Sequence, residues 1–161
     1  VPGTTYFDAI GEIASKGVEL EYRAAIHKRL YLLGSYTYLD SSVTKDANPR
    51  RIGRRPQGVP RHAFNLRFDA VLQRYADGDL TFGLGMRYLG ERLDESNRIT
   101  LGGSTVFDAS LRLTRGNDAL TFHVRNLFNK QYLTSVEPVW GTPTGFAGQD
   151  RTWTLSYIHK F

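Results

Sequence analysis

The sequence contains no cysteine, so neither a disulfide nor a thiolate metal site contributes to its fold. It has no run approaching the roughly 18 consecutive apolar residues of a membrane-crossing helix, which excludes a helical membrane protein. The chain opens at Val1 without the basic, apolar and small-residue zones of a signal peptide. A mature exported chain, or a piece of one, is the expectation from such a start. The net charge of +5 comes with no basic helix and no spaced aromatic platform, so nucleic acid is not an expected partner. Material for catalysis is also missing. His27, His62, His123 and His159 are widely separated, none forms an i, i+4 pair beside a glutamate, and no serine sits in a nucleophile-elbow context. The chain is expected not to be an enzyme and to hold no metal of its own.

What is present is alternation. The last eleven residues, RTWTLSYIHKF, place Trp153, Leu155, Tyr157, His159 and Phe161 on one face and Thr152, Thr154, Ser156, Ile158 and Lys160 on the other. In a transmembrane β-barrel such a pattern has a physical reason: one face meets lipid, with aromatics near the interfaces, and the other meets a polar lumen. The same period recurs upstream. KGVELEYRAAIH sets Val18, Leu20, Tyr22, Ala24 and Ile26 against Glu19, Glu21, Arg23 and Ala25, and RLYLLGSYTYLD sets Leu30, Leu32, Gly34, Tyr36 and Tyr38 against Ser35 and Thr37. Phe64, Leu66, Phe68, Ala70 and Leu72 oppose Asn65, Arg67, Asp69 and Val71. Leu80, Phe82, Leu84, Met86 and Tyr88 oppose Gly83, Gly85 and Arg87, and Phe107, Ala109, Leu111 and Leu113 oppose Asp108 and Arg112. ALTFHVRNLF continues with Leu120, Phe122 and Val124 against His123 and Arg125.

These runs give about seven strands, each of about 10–13 residues, a length suited to a tilted span of the bilayer. Their connections alternate short, long, short, long, short, long. Membrane barrels have short periplasmic turns and long extracellular loops, so the loops around Arg51, Glu95 and Trp140 are all placed outside. The expected fold class is therefore all-β: an antiparallel transmembrane β-barrel segment in the bacterial outer membrane. A soluble lipocalin-like barrel carries the same alternation with its faces inverted. The aromatic closing strand and the loop asymmetry favour the membrane. A stand-alone small outer-membrane barrel with a structural or adhesive role is the other alternative.

The inward set, Glu19, Glu21, Arg23, Arg67, Asp69, Arg87, Asp108, Arg112, His123 and Arg125, needs water, mutual pairing or a polar surface against it. Gly83 and Gly85 fall inside a strand and are expected to relieve crowding rather than to cradle phosphate. Arg50, Arg51, Arg54 and Arg55 in the first long loop are candidates for an anionic ligand, because a guanidinium grips oxygen anions in a fork. Contact with lipopolysaccharide phosphates, or simple solvation, is the plainer reading of the same loop. Tyr132, Trp140 and Phe146 offer aromatic surface in the last loop.

Four segments carry a family resemblance: GEIASKGVELEY, GRRPQGVPRHAFNLRFD, GLGMRYLGERLDESN, and FHVRNLFNKQY with the terminal RTWTLSYIHKF. In this order they resemble the C-terminal part of a TonB-dependent outer-membrane receptor of the ferric-siderophore type. The resemblance implies a barrel of about 22 strands, plugged by an N-terminal globular domain that bears the energy-coupling box. Residues 1–161 would be the C-terminal portion of that barrel, without the plug and unable to transport alone, since an odd number of strands does not close in antiparallel register. It also implies capture of a ferric siderophore by the outer loops and plug rearrangement driven by the TonB complex. The inward charges would grip the plug, and iron would travel in the siderophore with no resident cofactor. Trp153, Leu155, Tyr157, His159 and Phe161 would form the signal read by the barrel-assembly machinery, with outer-membrane lipid and lipopolysaccharide around the wall. Two departures stand out. His159 occupies a position often aromatic in the family, which is expected to weaken assembly recognition. The last outer loop lacks the cysteine pair frequent in hydroxamate and citrate receptors.

Overall fold

The computed structural model describes residues 11–94, 97–140 and 142–161. The opening stretch up to residue 10 and the loop position Glu95 lie outside the described residues. Seven strands form one antiparallel sheet in the order β1 (Glu12–His27), β2 (Leu30–Lys45), β3 (His62–Tyr75), β4 (Gly78–Leu89), β7 (Ser104–Arg115), β8 (Asp118–Arg125) and β11 (Thr152–His159). The count and the alternation match the sequence-based expectation. The sheet is open: β1 and β11 are its two edges and are not paired with each other.

Register aligns the apolar faces across every strand. Ala24, Leu32, Phe68, Leu84, Ala109, Val124 and Trp153 stand in one cross-strand row. The row displaced by one residue reads Ala25, Tyr31, Asp69, Gly83, Ser110, His123 and Thr154 and lies on the opposite face. No second layer covers the apolar face among the described residues. Val18, Leu20, Tyr22, Trp153, Leu155 and Tyr157 are each more than half exposed, and few side chains of the sheet are buried. A single sheet that leaves its apolar face open must bury it against another element or against lipid. Among the described residues no helix is long and apolar enough to cross a membrane, which says nothing of a crossing made by strands.

Three tight turns, at Lys28–Arg29, Ala76–Asp77 and Gly116–Asn117, lie at one end of the sheet. Three long connections lie at the other. Two of these hold strands absent from the sequence reading. The second contains the short ribbon β5 (Arg92–Leu93) and β6 (Thr100–Leu101), and the third contains the hairpin β9 (Leu133–Val139) and β10 (Thr142–Ala147), where an irregular loop was expected. β1 and β2 run to 16 residues each, well past the expected bounds, and raise a ribbon above the rest of the sheet. In contrast β8 stops at Arg125, because Asn126 turns the chain with φ 50°, so Leu127 and Phe128 are not strand residues. β3 carries a bulge between Val71 and Gln73, which takes Leu72 out of strict alternation. β11 ends at His159. Phe161 therefore lies beyond the strand rather than on its face.

Candidate functional site

The charged side chains expected inside do share the polar face. Glu21, Arg23, Arg67, Arg87 and Asp108 line one broad depression there, and Asp69, Arg112, His123 and Arg125 line a second. Glu19 is two residues from Glu21 on β1 and opposite Thr37, which puts it on the same face. One pair is closed: Arg67 donates from Nε and Nη2 to the two carboxylate oxygens of Asp69, both at 2.8 Å. Gly83 makes room for this fork, since a Cβ there would sit 2.6 Å from Ser110 Oγ and 2.8 Å from Asp69 Oδ1. That is the crowding relief expected of Gly83; at Gly85 a Cβ would meet nothing nearer than Asp108 Cβ at 3.8 Å, so the same expectation fails there. Asp108 is committed to the backbone N–H of Asn126 at 2.8 Å. Arg23, Arg87, Arg112 and Arg125 make no ion pair with a described residue. These guanidiniums share the face with the carboxylates of Glu19, Glu21, Asp69, Asp79 and Asp108, so it is densely charged with both signs.

The outer end is a knitted lobe rather than three separate loops. Gly58 donates its backbone N–H to Leu93 O at 3.0 Å, and Asn97 Nδ2 donates to Arg55 O at 3.1 Å, joining the first and second connections. Arg92 donates from Nη1 to Thr134 O at 2.8 Å and from Nη2 to Leu133 O at 3.0 Å, joining the second and third. Gln57 Nε2 reaches Val136 O at 3.4 Å and links the first to the third. Leu101 and Val136 are buried between them.

This lobe separates the four arginines of the first loop. Arg50 and Arg51 sit on a 3-10 turn, Pro49–Arg51, capped by Asn48 Oδ1, which accepts from Arg50 N at 3.1 Å. Arg51 Nη1 lies 3.7 Å from Asp46 Oδ2. Arg54 anchors its backbone to the end of β2, accepting from Val43 N at 2.9 Å. Arg55 turns inward: its side chain is 16% exposed, with Nη1 3.6 Å from Glu91 Oε1 and Nη2 donating to Val59 O at 3.2 Å. Arg55 thus holds the lobe together, whereas Arg50 and Arg51 remain on its surface. In the last loop, Trp140 is 99% exposed at the β9–β10 turn, with φ 51°, and Phe146 is partly exposed on β10. Tyr132 does not join them. Its ring lies against Gly148, where any Cβ would collide with it.

At the opposite end, Tyr157 donates its hydroxyl to Asp118 Oδ1 at 2.6 Å, and His159 Nδ1 lies 2.8 Å from the same oxygen. His159 also meets Phe161 edge-on at 4.9 Å, and Trp153 stacks on Phe122 at 5.7 Å. The histidine at this position is tied to the neighbouring strand by a polar contact that a phenyl ring lacks.

Three residues escaped the sequence reading. Asn126 is 3% exposed and brackets the loop base: its Nδ2 donates to Lys130 O and Gln149 O, and its Oδ1 accepts from Lys130 N at 2.7 Å. Asn129, also at positive φ, accepts from Arg151 N at 3.0 Å. The paired asparagines three apart in RNLFN were the available signal, because Asn tolerates the left-handed region and bonds nearby backbone. Arg92 is the third, 6% exposed inside a loop where arginine is expected at the surface.

Comparison with known proteins places these features in a family. The TonB dependent receptor-like, beta-barrel family matches residues 1–127. The ferrichrome outer membrane transporter/phage receptor of Escherichia coli is 36% identical over 157 residues, covering 94% of this chain and 20% of that protein. The metal-pseudopaline receptor CntO of Pseudomonas aeruginosa is 32% identical over 158 residues, covering 94% of this chain and 21% of that protein. The chain thus spans about a fifth of the length of the curated relatives it matches. The crystal structure of the ferric yersiniabactin uptake receptor FyuA from Yersinia pestis has the same fold over 94% of this chain and 24% of its own, with TM-score 0.81 and 22% identity.

Proposed function

Because this chain belongs to the TonB-dependent receptor family, a family of outer-membrane receptors rather than enzymes, we propose that it forms part of a receptor that takes up a ferric siderophore. Its contribution is the C-terminal barrel wall, three outer loops and the closing strand. The observation that carries this reading is the division of one sheet into an open apolar face and a charged polar face, with every long loop at the same end. Lipid takes the first face, and the interior of a larger barrel takes the second. The names of the relatives, one for ferrichrome and one for metal-pseudopaline, support metal-chelate capture, and the first supports iron as the metal.

In this reading the segment does not transport by itself. Its two sheet edges pair with strands of the same barrel, and the unpaired arginines of the polar face meet the plug that couples to TonB. Arg50, Arg51, Trp140 and Phe146 face the arriving ligand. The siderophore carries the iron, so the protein needs no resident cofactor. The convex wall contacts outer-membrane lipid and lipopolysaccharide, and β11 is the strand that the barrel-assembly machinery recognises.

Uptake of radioactive iron tests this directly. The native gene is expressed in cells deprived of their own siderophore receptors, with and without a functional TonB complex. Growth-supporting uptake of at least one ferric siderophore that vanishes without TonB is the expected result. Uptake that persists without TonB, or none with any ferric siderophore, would overturn it.

A further inference from the structure

Arg92 is the most deeply buried charge of the outer lobe, and nothing described neutralises it. Its two terminal nitrogens donate to the carbonyl oxygens of Thr134 and Leu133, its Nε has no partner, and it forms no ion pair with a described residue. A guanidinium does not lose its proton in a protein, and carbonyl dipoles satisfy donors without supplying a counter-charge. A buried cation in that state favours any anion that reaches it. A route exists. Arg92 lines a cavity of about 490 Å³ to which all three outer connections contribute, with Gln57 and Gly58 from the first and Thr134 to Glu137 from the third. The cavity wall is mixed, with the Gln57 amide and the Thr134 and Ser135 hydroxyls beside Leu93 and Leu101, as suits a small polar group on an organic body.

We propose that this cavity is a carboxylate subsite, in which Arg92 receives a free carboxylate carried at the periphery of the incoming iron chelate. A monoanion is favoured over a phosphate because the unpaired carboxyl of Glu137 shares the lining and repels a dianion more strongly. The subsite rests on the receptor reading given above. It differs from the surface arginines of the first loop in being recessed among three connections, where a charge-assisted bond is less weakened by water than at the surface.

A matched pair of ferric trihydroxamates tests it, one with a free terminal carboxylate and the other with the corresponding primary amide. Both are titrated against the full polypeptide purified from outer membranes in detergent. The acid binds tighter than the amide, by about tenfold for one charge-assisted contact. Arg92→Met brings that ratio to about one and Arg92→Lys leaves part of it. Since Arg92→Met also removes two bonds between β5 and β9, Glu137→Gln serves as the second variant. It breaks no hydrogen bond or ion pair of the lobe and widens the acid-to-amide ratio. Equal affinities for acid and amide in the unaltered protein overturn the subsite while leaving the receptor reading standing. Failure to bind either compound overturns the subsite as one that receives such a chelate, and leaves the receptor reading to the iron-uptake experiment. A preference that survives Arg92→Met places the carboxylate elsewhere and overturns the subsite. A preference that appears only after lipopolysaccharide is stripped means that a lipid phosphate holds the cavity, which also overturns the proposal.

Discussion

Asn126 gathers three backbone bonds onto one side chain. It is buried, sits at φ 50° and ties the chain after β8 to the residues that lead into β11. Asn126→Ala removes these bonds and leaves two carbonyls and one N–H without their partner, an expected cost of about 2–4 kcal/mol. Asn126→Gly loses the same bonds but accepts positive φ, and should recover roughly 1 kcal/mol of that cost. Urea unfolding of the full polypeptide in micelles, followed by the loss of its β signal, orders the three proteins native, Gly, Ala. Equal midpoints for Gly and Ala would mean that backbone strain plays no part. The residues of the polar face were legible in the sequence because charge at every second position of an apolar strand must share one face and needs water or a polar surface there. Asn126 and Arg92 were not. Their roles depend on which loop carbonyls fold back onto them, and no local pattern encodes that.

β11 pairs with β8 over eight residues, without a register shift, and its other edge is open. Its alternation makes a prediction that only the membrane assignment supports. Leu155 is 69% exposed on the apolar face, and Ser156 lines the polar depression. Leu155→Arg should destabilise by about 2–4 kcal/mol if that face meets the bilayer near its centre, whereas Ser156→Arg should cost less than about 1 kcal/mol. Folding equilibria in lipid vesicles measure both, and equal costs would contradict the assignment of faces. Strands were the part of the fold most readable from sequence, since period two is local. Their ends were less so. β2 continues through SSVTK without apolar alternation because its partner β1 extends beside it. β9 and β10 escaped notice because a hairpin containing Pro138 and Pro143 departs from the composition of an ordinary strand pair.

At the scale of the whole molecule, one sheet carries two environments. The aromatic and aliphatic rows continue from β1 to β11 on one side, and the arginines, Asp69, Asp108 and His123 on the other. Turns gather at one end and a bonded lobe of loops at the other. Open antiparallel edges at β1 and β11 suit a wall within a larger barrel, which is the architecture of the receptors this chain resembles. Whether the charged face lines the interior of a barrel depends on which face meets lipid. Single spin labels report this most directly. The chain has no cysteine of its own, so labels at 153 to 158 need no background removal within it. In the full polypeptide in lipid vesicles, labels at Trp153, Leu155 and Tyr157 should be relaxed by oxygen dissolved in the bilayer. Those at Thr154, Ser156 and Ile158 should respond to a water-soluble nickel chelate or show no contact with either reagent. Oxygen contact at Thr154 and Ser156 in place of Trp153 and Leu155 would contradict the account.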